Sequence, residues 1–141
     1  MPKTEATASE VQPLAAAQPI TAMSVVAPML GWVIPGAGHL IQKKWARGFL
    51  LMFSVVLMFM LGIAMGGKIY KSNTGDLLDM LGFVGDAGAG GLYIISRVME
   101  LGGIAIAFAT NDYGTKYIVI SGLLNVMSMV DAYHIAMGRK K

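Results

Sequence analysis

Long uncharged stretches dominate the hydrophobic pattern of the chain. The clearest is residues 48–67, a run of 20 residues without Asp, Glu, Lys or Arg. At about 1.5 Å per helical residue this run is roughly 30 Å long, the thickness of the hydrocarbon core of a bilayer. We therefore predict that residues 48–67 form a helix that crosses a membrane.

The preceding stretch, residues 22–42, is also uncharged but is interrupted. Pro35 is followed by Gly36 and, two residues later, by Gly38. Proline and glycine are poor helix formers, and irregular backbone cannot face lipid. The pattern predicts a first span broken at Pro35, with the break buried against other helices or placed at the membrane interface.

A third apolar stretch, residues 117–137, precedes the basic C-terminus. Residues 91–110 are long enough to cross, but Arg97 and Glu100 lie near their centre, and each costs about 2.5 to 3.5 kcal/mol on insertion scales. We expect an all-α integral membrane protein with three transmembrane helices. The glycine-rich connecting region 68–116 is expected on the outer face as a re-entrant segment or an amphipathic helix.

The composition agrees with a membrane protein. Hydrophobic residues make up 55% of the 141 residues and charged residues only 13%, against about 25% in a typical soluble domain. No cysteine is present, which excludes disulfides and thiolate sites. The net charge of +3 is small and no basic stripe suggests nucleic-acid binding. Residues 1–21 are expected to form a disordered tail before a single membrane domain at 22–141.

Two short basic clusters suggest an orientation. They are Lys43, Lys44 and Arg47 in the loop between the first two expected spans, and Arg139, Lys140 and Lys141 at the C-terminus. With Trp45, the first cluster is expected at the lipid headgroups, and basic clusters usually face the cytoplasm. Three spans put both clusters on that side, so we expect a cytoplasmic C-terminus and an N-terminus outside.

Several motifs carry a resemblance. They are Gly31-Trp32-Val33-Ile34-Pro35-Gly36-Ala37-Gly38-His39 with the basic hairpin after it, Tyr113-Gly114, Gly122-Leu123-Leu124-Asn125, Asp131-Ala132-Tyr133 and Gly138-Arg139-Lys140. Together, over roughly residues 22–141, the chain resembles a family of small bacterial inner-membrane proteins of unknown function. The resemblance implies the membrane fold and no particular activity.

The third span has a polar stripe. Ser121, Asn125 and Ser128 are spaced by four and three residues and share one helical face, with Asp131 following. In lipid such groups turn towards other helices, so we expect these four to make interhelical polar contacts. Separately, Gly62 and Gly66 form a small-xxx-small pattern that permits close helix packing.

Three ionisable side chains are candidates for chemistry. Asp131 and His134 are neighbours on one helix, and His39 is expected near the same interface. They form a candidate ligand or proton site, since ionisable groups inside spans are often functional. Two histidines and a carboxylate also suit a metal. The simpler alternative is a hydrated interfacial pair or a contact with the basic loop.

No catalytic constellation stands out, so we favour a structural or accessory role. The chain would be a subunit of a larger membrane complex or a homo-oligomer, with the lipid bilayer and other helices as its partners. One alternative is an oligomeric transporter or channel lined by Asn125, Asp131 and His134. Others are a heme- or pigment-binding subunit using His39 or His134, and a membrane enzyme built on the same ionisable residues.

Overall fold

Six helices make up the described part of the chain. The computed structural model describes residues 20–70, 76–101 and 110–139. The helices are α1 (Ala22–Val33), α2 (Ala37–Ile41), α3 (Trp45–Ala64), α4 (Leu77–Gly88), α5 (Gly91–Val98) and α6 (Asn111–Ala136). No strand occurs within those ranges, and the prediction of an all-helical fold is confirmed. Nearly all of the predicted tail, together with Lys140 and Lys141, lies outside the described residues.

The 26-residue helix α6 is the centre of the fold and contacts α1, α3 and α4. Helix α3 runs antiparallel to it and approaches closely through glycine. A Cβ atom on Gly62 would meet Ile118 and the backbone oxygen of Gly114, and Gly67 also lies against Gly114. The absence of side chains at these positions brings the two backbones together over the N-terminal half of α6.

Helices α1 and α2 form a hairpin, here called the first hairpin (residues 22–41). Helix α1 ends at Val33 because Ile34, which precedes Pro35, has extended backbone angles (φ −122°, ψ 110°), as residues before proline usually do. Gly36 then turns the chain with a φ of +80°. On the way back, Gly38 packs between Ala27 and Ala132, so the hairpin lies on the C-terminal half of α6.

Helices α4 and α5 form the second hairpin (residues 77–98), and α4 runs parallel to the N-terminal half of α6. A Cβ on Gly85 would meet Val119, one on Gly122 would meet the Gly85 oxygen, and one on Gly88 would meet Gly122. Glycines therefore line this contact on both helices, in the same way that they line the contact between α3 and α6.

The tips of the two hairpins meet beside the middle of α6. The backbone of Gly90, with a φ of +58°, and that of Gly91 lie directly against the carbonyl oxygens of Trp32 and Val33. The N-terminal end of α5 thus faces the C-terminal end of α1, an arrangement in which the two helix dipoles attract. Helix α5 starts where α1 stops.

Two of the described helices, α3 and α6, are long and apolar enough to cross a membrane, by length and composition. Residues 22–42, expected to form the first of three spans, instead contain the two short helices α1 and α2. Helix α1 has 12 residues, about 18 Å, and the chain then turns back to the end of α6 from which it came. At 8 residues, about 12 Å, α5 is also too short to cross.

The boundaries of the long helices also differ from the hydrophobic runs. Helix α3 begins at Trp45, inside the stretch expected to be a loop, and ends at Ala64 because Gly66 adopts a φ of +77°. Glycine in this conformation is a common helix terminator. Helix α6 begins at Asn111 rather than near Tyr117 because its polar first turn continues the helix beyond the apolar stretch.

Candidate functional site

The polar face of α6 is the centre of the candidate site, and its most enclosed member lies opposite, on α2. The His39 side chain is 0% exposed, and its Nε2 lies 3.0 Å from Oδ2 of Asp131, which is 24% exposed. An ionised carboxylate can only accept, so with Asp131 ionised the proton of this hydrogen bond is on Nε2. Two residues that are 92 positions apart in sequence therefore connect the first hairpin to α6.

A neighbouring amide strengthens the same connection. The Nε2 group of Gln42, directly after α2, donates to the carbonyl oxygen of Ala132 at 2.9 Å and to that of Gly38 at 2.9 Å. The carbonyl of Gly38 lies near the end of the short helix α2, where carbonyls lack helical partners. Gln42 therefore satisfies backbone groups on both sides of the contact.

His134 is not part of this pair in the structure. Its ring is half-buried and lies beside Tyr133, with ring centroids 5.9 Å apart. Among the described residues no group of three His, Asp or Glu side chains could hold a metal ion. The arrangement is thus a hydrogen-bonded pair of His39 and Asp131, and the three-residue cluster suggested by sequence does not assemble.

The burial of His39 also bears on its suggested role as a heme or pigment ligand. His39 has its Nε2 engaged by Asp131, and its Nδ1 is buried without a hydrogen-bond partner. The adjacent Gly38 leaves no free volume, because a Cβ there would already meet Ala27 and Ala132. A large ring could reach His39 only if the first hairpin left α6, so the geometry does not favour it as an axial ligand.

Asn125 occupies the point where the two hairpins meet. It is 0% exposed, and its Nδ2 donates to the carbonyl oxygens of Gly88 at 3.0 Å and Trp32 at 3.4 Å. These two acceptors fix the amide with its nitrogen towards the helix ends. The Trp32 indole of α1 also donates directly to α4, from Nε1 to the backbone oxygen of Ala87 at 3.0 Å.

The two serines of the predicted stripe are buried on the same face of α6, at 0% and 4% exposure. Ser121 donates to the carbonyl oxygen of Ile118 in its own helix at 2.7 Å, so its hydroxyl is satisfied locally. Of the four residues expected to make interhelical contacts, the structure gives such contacts to Asn125 and Asp131. The small size of Ser121 and Ser128 suits the close packing around α6.

One end of the molecule is basic. Lys43 and Arg47 are exposed, Lys44 precedes the first residue of α3, and Arg139 follows α6 at the same end. Trp45 is 60% exposed and stacks on Phe49. A positive φ of 59° at Lys43 forms the sharp turn between α2 and α3. This end of the molecule therefore carries exposed basic residues and an exposed tryptophan, and their contact with lipid headgroups stays a prediction.

Gly62 and Gly66 have different roles. Gly62 is a packing glycine within α3, against α6, whereas Gly66 lies beyond the helix end and faces the side chain of Asn111. The small-xxx-small pattern is therefore present in sequence, but its second glycine terminates the helix.

A buried carboxyl group in α4 was missed by sequence reasoning. Residues 86–91 resemble a flexible turn in sequence, but Asp86 lies in the last full turn of α4 and is 0% exposed. Its Oδ2 accepts the backbone N–H of Tyr70 at 2.8 Å. The available signal was the spacing of Gly82, Gly85 and Gly88, which gives a helix one small-residue face beside the acid.

Fold and site together define a small all-helical protein in which two short hairpins dock end to end on one long helix. Residues 26–141 match the model of a family described as a family of unknown function, DUF6677, and the chain belongs to that family. The expected membership of an uncharacterised family is confirmed. No curated protein and no solved structure matches the chain.

Proposed function

We propose that the chain is a small integral membrane protein of the bacterial inner membrane. In this proposal α3 and α6 cross the bilayer, the first hairpin enters from the side of the α6 C-terminus, and the second enters from the opposite side. The length of α3 and α6 and their apolar, largely exposed surfaces support it. The two tips would meet near mid-depth, where the irregular backbone is covered by protein as lipid requires.

The orientation follows from the basic end of the molecule. By the positive-inside tendency, the end carrying Lys43, Lys44, Arg47 and Arg139 faces the cytoplasm. Because α1 begins at this same end, we propose that the chain enters α1 from the cytoplasmic side. This differs from the sequence expectation, which put the N-terminus outside on the basis of three complete spans.

Within the membrane we propose a structural or accessory role, as a subunit of a larger complex or of a homo-oligomer. The observation that carries this is the use of the buried polar groups. Asn125, Gln42 and the His39–Asp131 pair each connect one helix to another. Their hydrogen bonds hold the hairpins in place.

The surface available for assembly is an aromatic face of α3. Trp45, Phe49 and Phe53 are spaced by four residues and are 60%, 51% and 65% exposed. Residues with this spacing lie on one side of a helix, here the side away from α6. Such a face can pack against a helix of a partner or of a second copy.

Photocrosslinking in native membranes tests this role. A photoreactive phenylalanine placed at Phe53 is expected to yield one discrete protein adduct, either to a second copy or to a partner subunit. The matched position is Met127, which is 72% exposed on α6 and lies off the aromatic face. Adducts only to lipid at both positions, with a monomer after gentle purification, would contradict the assembly role.

A second candidate, an oligomeric transporter or channel, is favoured by one observation. Two short helices end at Asn125, and helices interrupted at mid-depth are a recurring feature of transporter binding sites. Ion and proton flux into liposomes reconstituted with the protein tests it. Flux that Asn125→Ala changes supports this candidate, and flux no greater than that of empty liposomes rejects it.

A further inference from the structure

Asp86 lies in an unusual position for an acidic residue. It is 0% exposed and, among the described residues, receives one hydrogen bond, from the backbone N–H of Tyr70 to Oδ2 at 2.8 Å. Its other oxygen, Oδ1, is buried without a partner. The apolar cluster of Phe59, Ile69, Ala89 and Ile118 lies beside the same segment.

Ionisable groups lie on most of the described elements around Asp86, yet none of these groups forms an ion pair with it. Lys68 and Tyr70 lie in the segment between α3 and α4, and Asp79 lies on α4 itself. Helix α5 carries Tyr93 and Arg97, and α6 carries Asp112 and Lys116. The C-terminal half of α3 has no ionisable residue. The Nζ atom of Lys68 lies 3.9 Å from Oδ2 of Asp79, and the Tyr93 hydroxyl donates to the backbone oxygen of Tyr70 at 3.3 Å. Within the described part of the chain, Asp86 has no ion pair.

A carboxylate in this setting would be costly. Removing a charge from water into apolar surroundings is strongly unfavourable unless a counter-charge and several hydrogen bonds replace the lost hydration. Asp86 has one such hydrogen bond. The neutral acid avoids this cost, still accepts the Tyr70 N–H at one oxygen and carries its proton on the other.

We propose that Asp86 is a proton-binding site that holds the segment at Tyr70 docked against α4 of the second hairpin. In the docked state the carboxyl group is protonated. Loss of the proton, to hydroxide or buffer base in solution, leaves a buried anion, and the segment around Tyr70 separates from α4 so that water can solvate it. The inference depends on the fold around α4 and is independent of the proposed assembly role.

The proton itself is observed by infrared spectroscopy of the full-length protein in lipid nanodiscs across a pH series. A protonated-carboxyl band is expected that titrates with pH, is lost in Asp86→Asn and moves in Asp86→Glu. Asp79→Asn is the matched control, since Asp79 lies on the same helix but its side chain is 27% exposed. The band should persist in this control.

Hydrogen exchange of the peptide containing Tyr70 measures whether its backbone N–H is still bonded to Asp86. In the parent protein, protection of this segment should fall by about tenfold as the band disappears, the equivalent of one lost hydrogen bond. Asp86→Asn keeps an acceptor and cannot ionise, so its protection should not change with pH. Asp86→Leu has no acceptor and should be unprotected throughout.

One outcome overturns the inference: the absence of a protonated-carboxyl band assignable to Asp86 at any pH at which the protein is folded. A variant of Lys71, the basic residue next to Tyr70 in sequence, which lies outside the described residues, then identifies the reason. If Lys71→Gln creates the band where the parent has none, Asp86 is ionised and paired in the parent. If Asp86→Asn does not fold, the shift in Asp86→Glu still decides.

Discussion

The two hairpins dock on the same helix by different physical means. The first hairpin is held by side-chain hydrogen bonds, above all from His39 to Asp131 and from Gln42 to the Ala132 carbonyl. The second is held by backbone-to-backbone contact at Gly85, Gly88 and Gly122. Hydrogen bonds tolerate changes in side-chain size better than glycine contacts do, because no Cβ fits where two backbones touch. The second hairpin should therefore be the more sensitive to added volume.

A single residue joins the two modes. Asn125 donates to the Trp32 oxygen of the first hairpin and to the Gly88 oxygen of the second. In the middle of α6, both hairpins therefore depend on the same α6 side chain. The comparison is sharpened by variants that affect one hairpin, the other, or both.

The largest effect is expected for Gly122→Leu. Its Cβ would overlap the backbone oxygen of Gly85, and a backbone cannot move aside as a flexible side chain can. We expect a loss of about 3 kcal/mol or more in the free energy of unfolding, at the upper end for overpacking. Denaturant unfolding in detergent micelles measures it. Val130→Leu, on an exposed position of α6, should change little, and equal stability of the two variants would refute the glycine contact.

The next effect is expected for Asn125→Leu. The Gly88 oxygen, in a buried hydrogen bond, and the Trp32 oxygen, in a partly buried one, lose their donor. An unsatisfied buried polar group costs about 1–3 kcal/mol. We expect a loss of about 2 kcal/mol and faster hydrogen exchange in both hairpins, residues 22–41 and 77–98. Faster exchange in only one of them would show that Asn125 does not join the two.

A smaller effect, confined to the first hairpin, is expected from the His39–Asp131 pair. A double-mutant cycle with His39→Gln and Asp131→Asn should give a coupling free energy of about 1 kcal/mol, typical of hydrogen-bonded neighbours. Hydrogen exchange of residues 77–98 should stay at the parent level. A coupling energy of zero would mean that the 3.0 Å contact contributes nothing to docking.

The smallest effect is expected for Trp32→Phe. The indole bond to the Ala87 oxygen is lost at a partly exposed position, so we expect a loss of about 0.5 kcal/mol. The chain has two tryptophans, and in a Trp45→Phe background the Trp32 emission should report hairpin docking directly. Emission that is unchanged when Gly122→Leu is introduced would contradict the contact between the hairpin tips.

Sequence reasoning recovered the elements with the strongest local signals. The long uncharged run led to α3, and Pro35 with its glycines marked the break at which α1 ends. It also placed Ser121, Asn125 and Ser128 on one face of the last helix, and these side chains are buried in the structure. These signals work because proline geometry and helical periodicity act within a few residues, whatever the rest of the chain does.

Other features depend on contacts between distant residues and could not be read locally. Residues 86–91 look like a flexible turn, yet α4 extends to Gly88 because its glycines gain a close contact with Gly122 that an isolated segment lacks. Likewise, the uncharged stretch of residues 22–42 gives no sign that it folds back after Val33. For this reason the sequence predicted three candidate spans, whereas two of the described helices are long and apolar enough to cross a membrane.

The central proposal is that α3 and α6 cross the membrane. Each hairpin instead enters and leaves the membrane on one side, the first on the side of the α6 C-terminus and the second on the opposite side. Because the chain has no cysteine, single cysteines can be introduced and labelled in intact cells with a reagent that does not cross membranes. The account predicts that cysteines at Thr21 and at Gly138 are both protected, whereas one at Asp112, exposed at the start of α6, is labelled. Labelling at Thr21 with protection at Gly138 would contradict it and would restore three complete crossings.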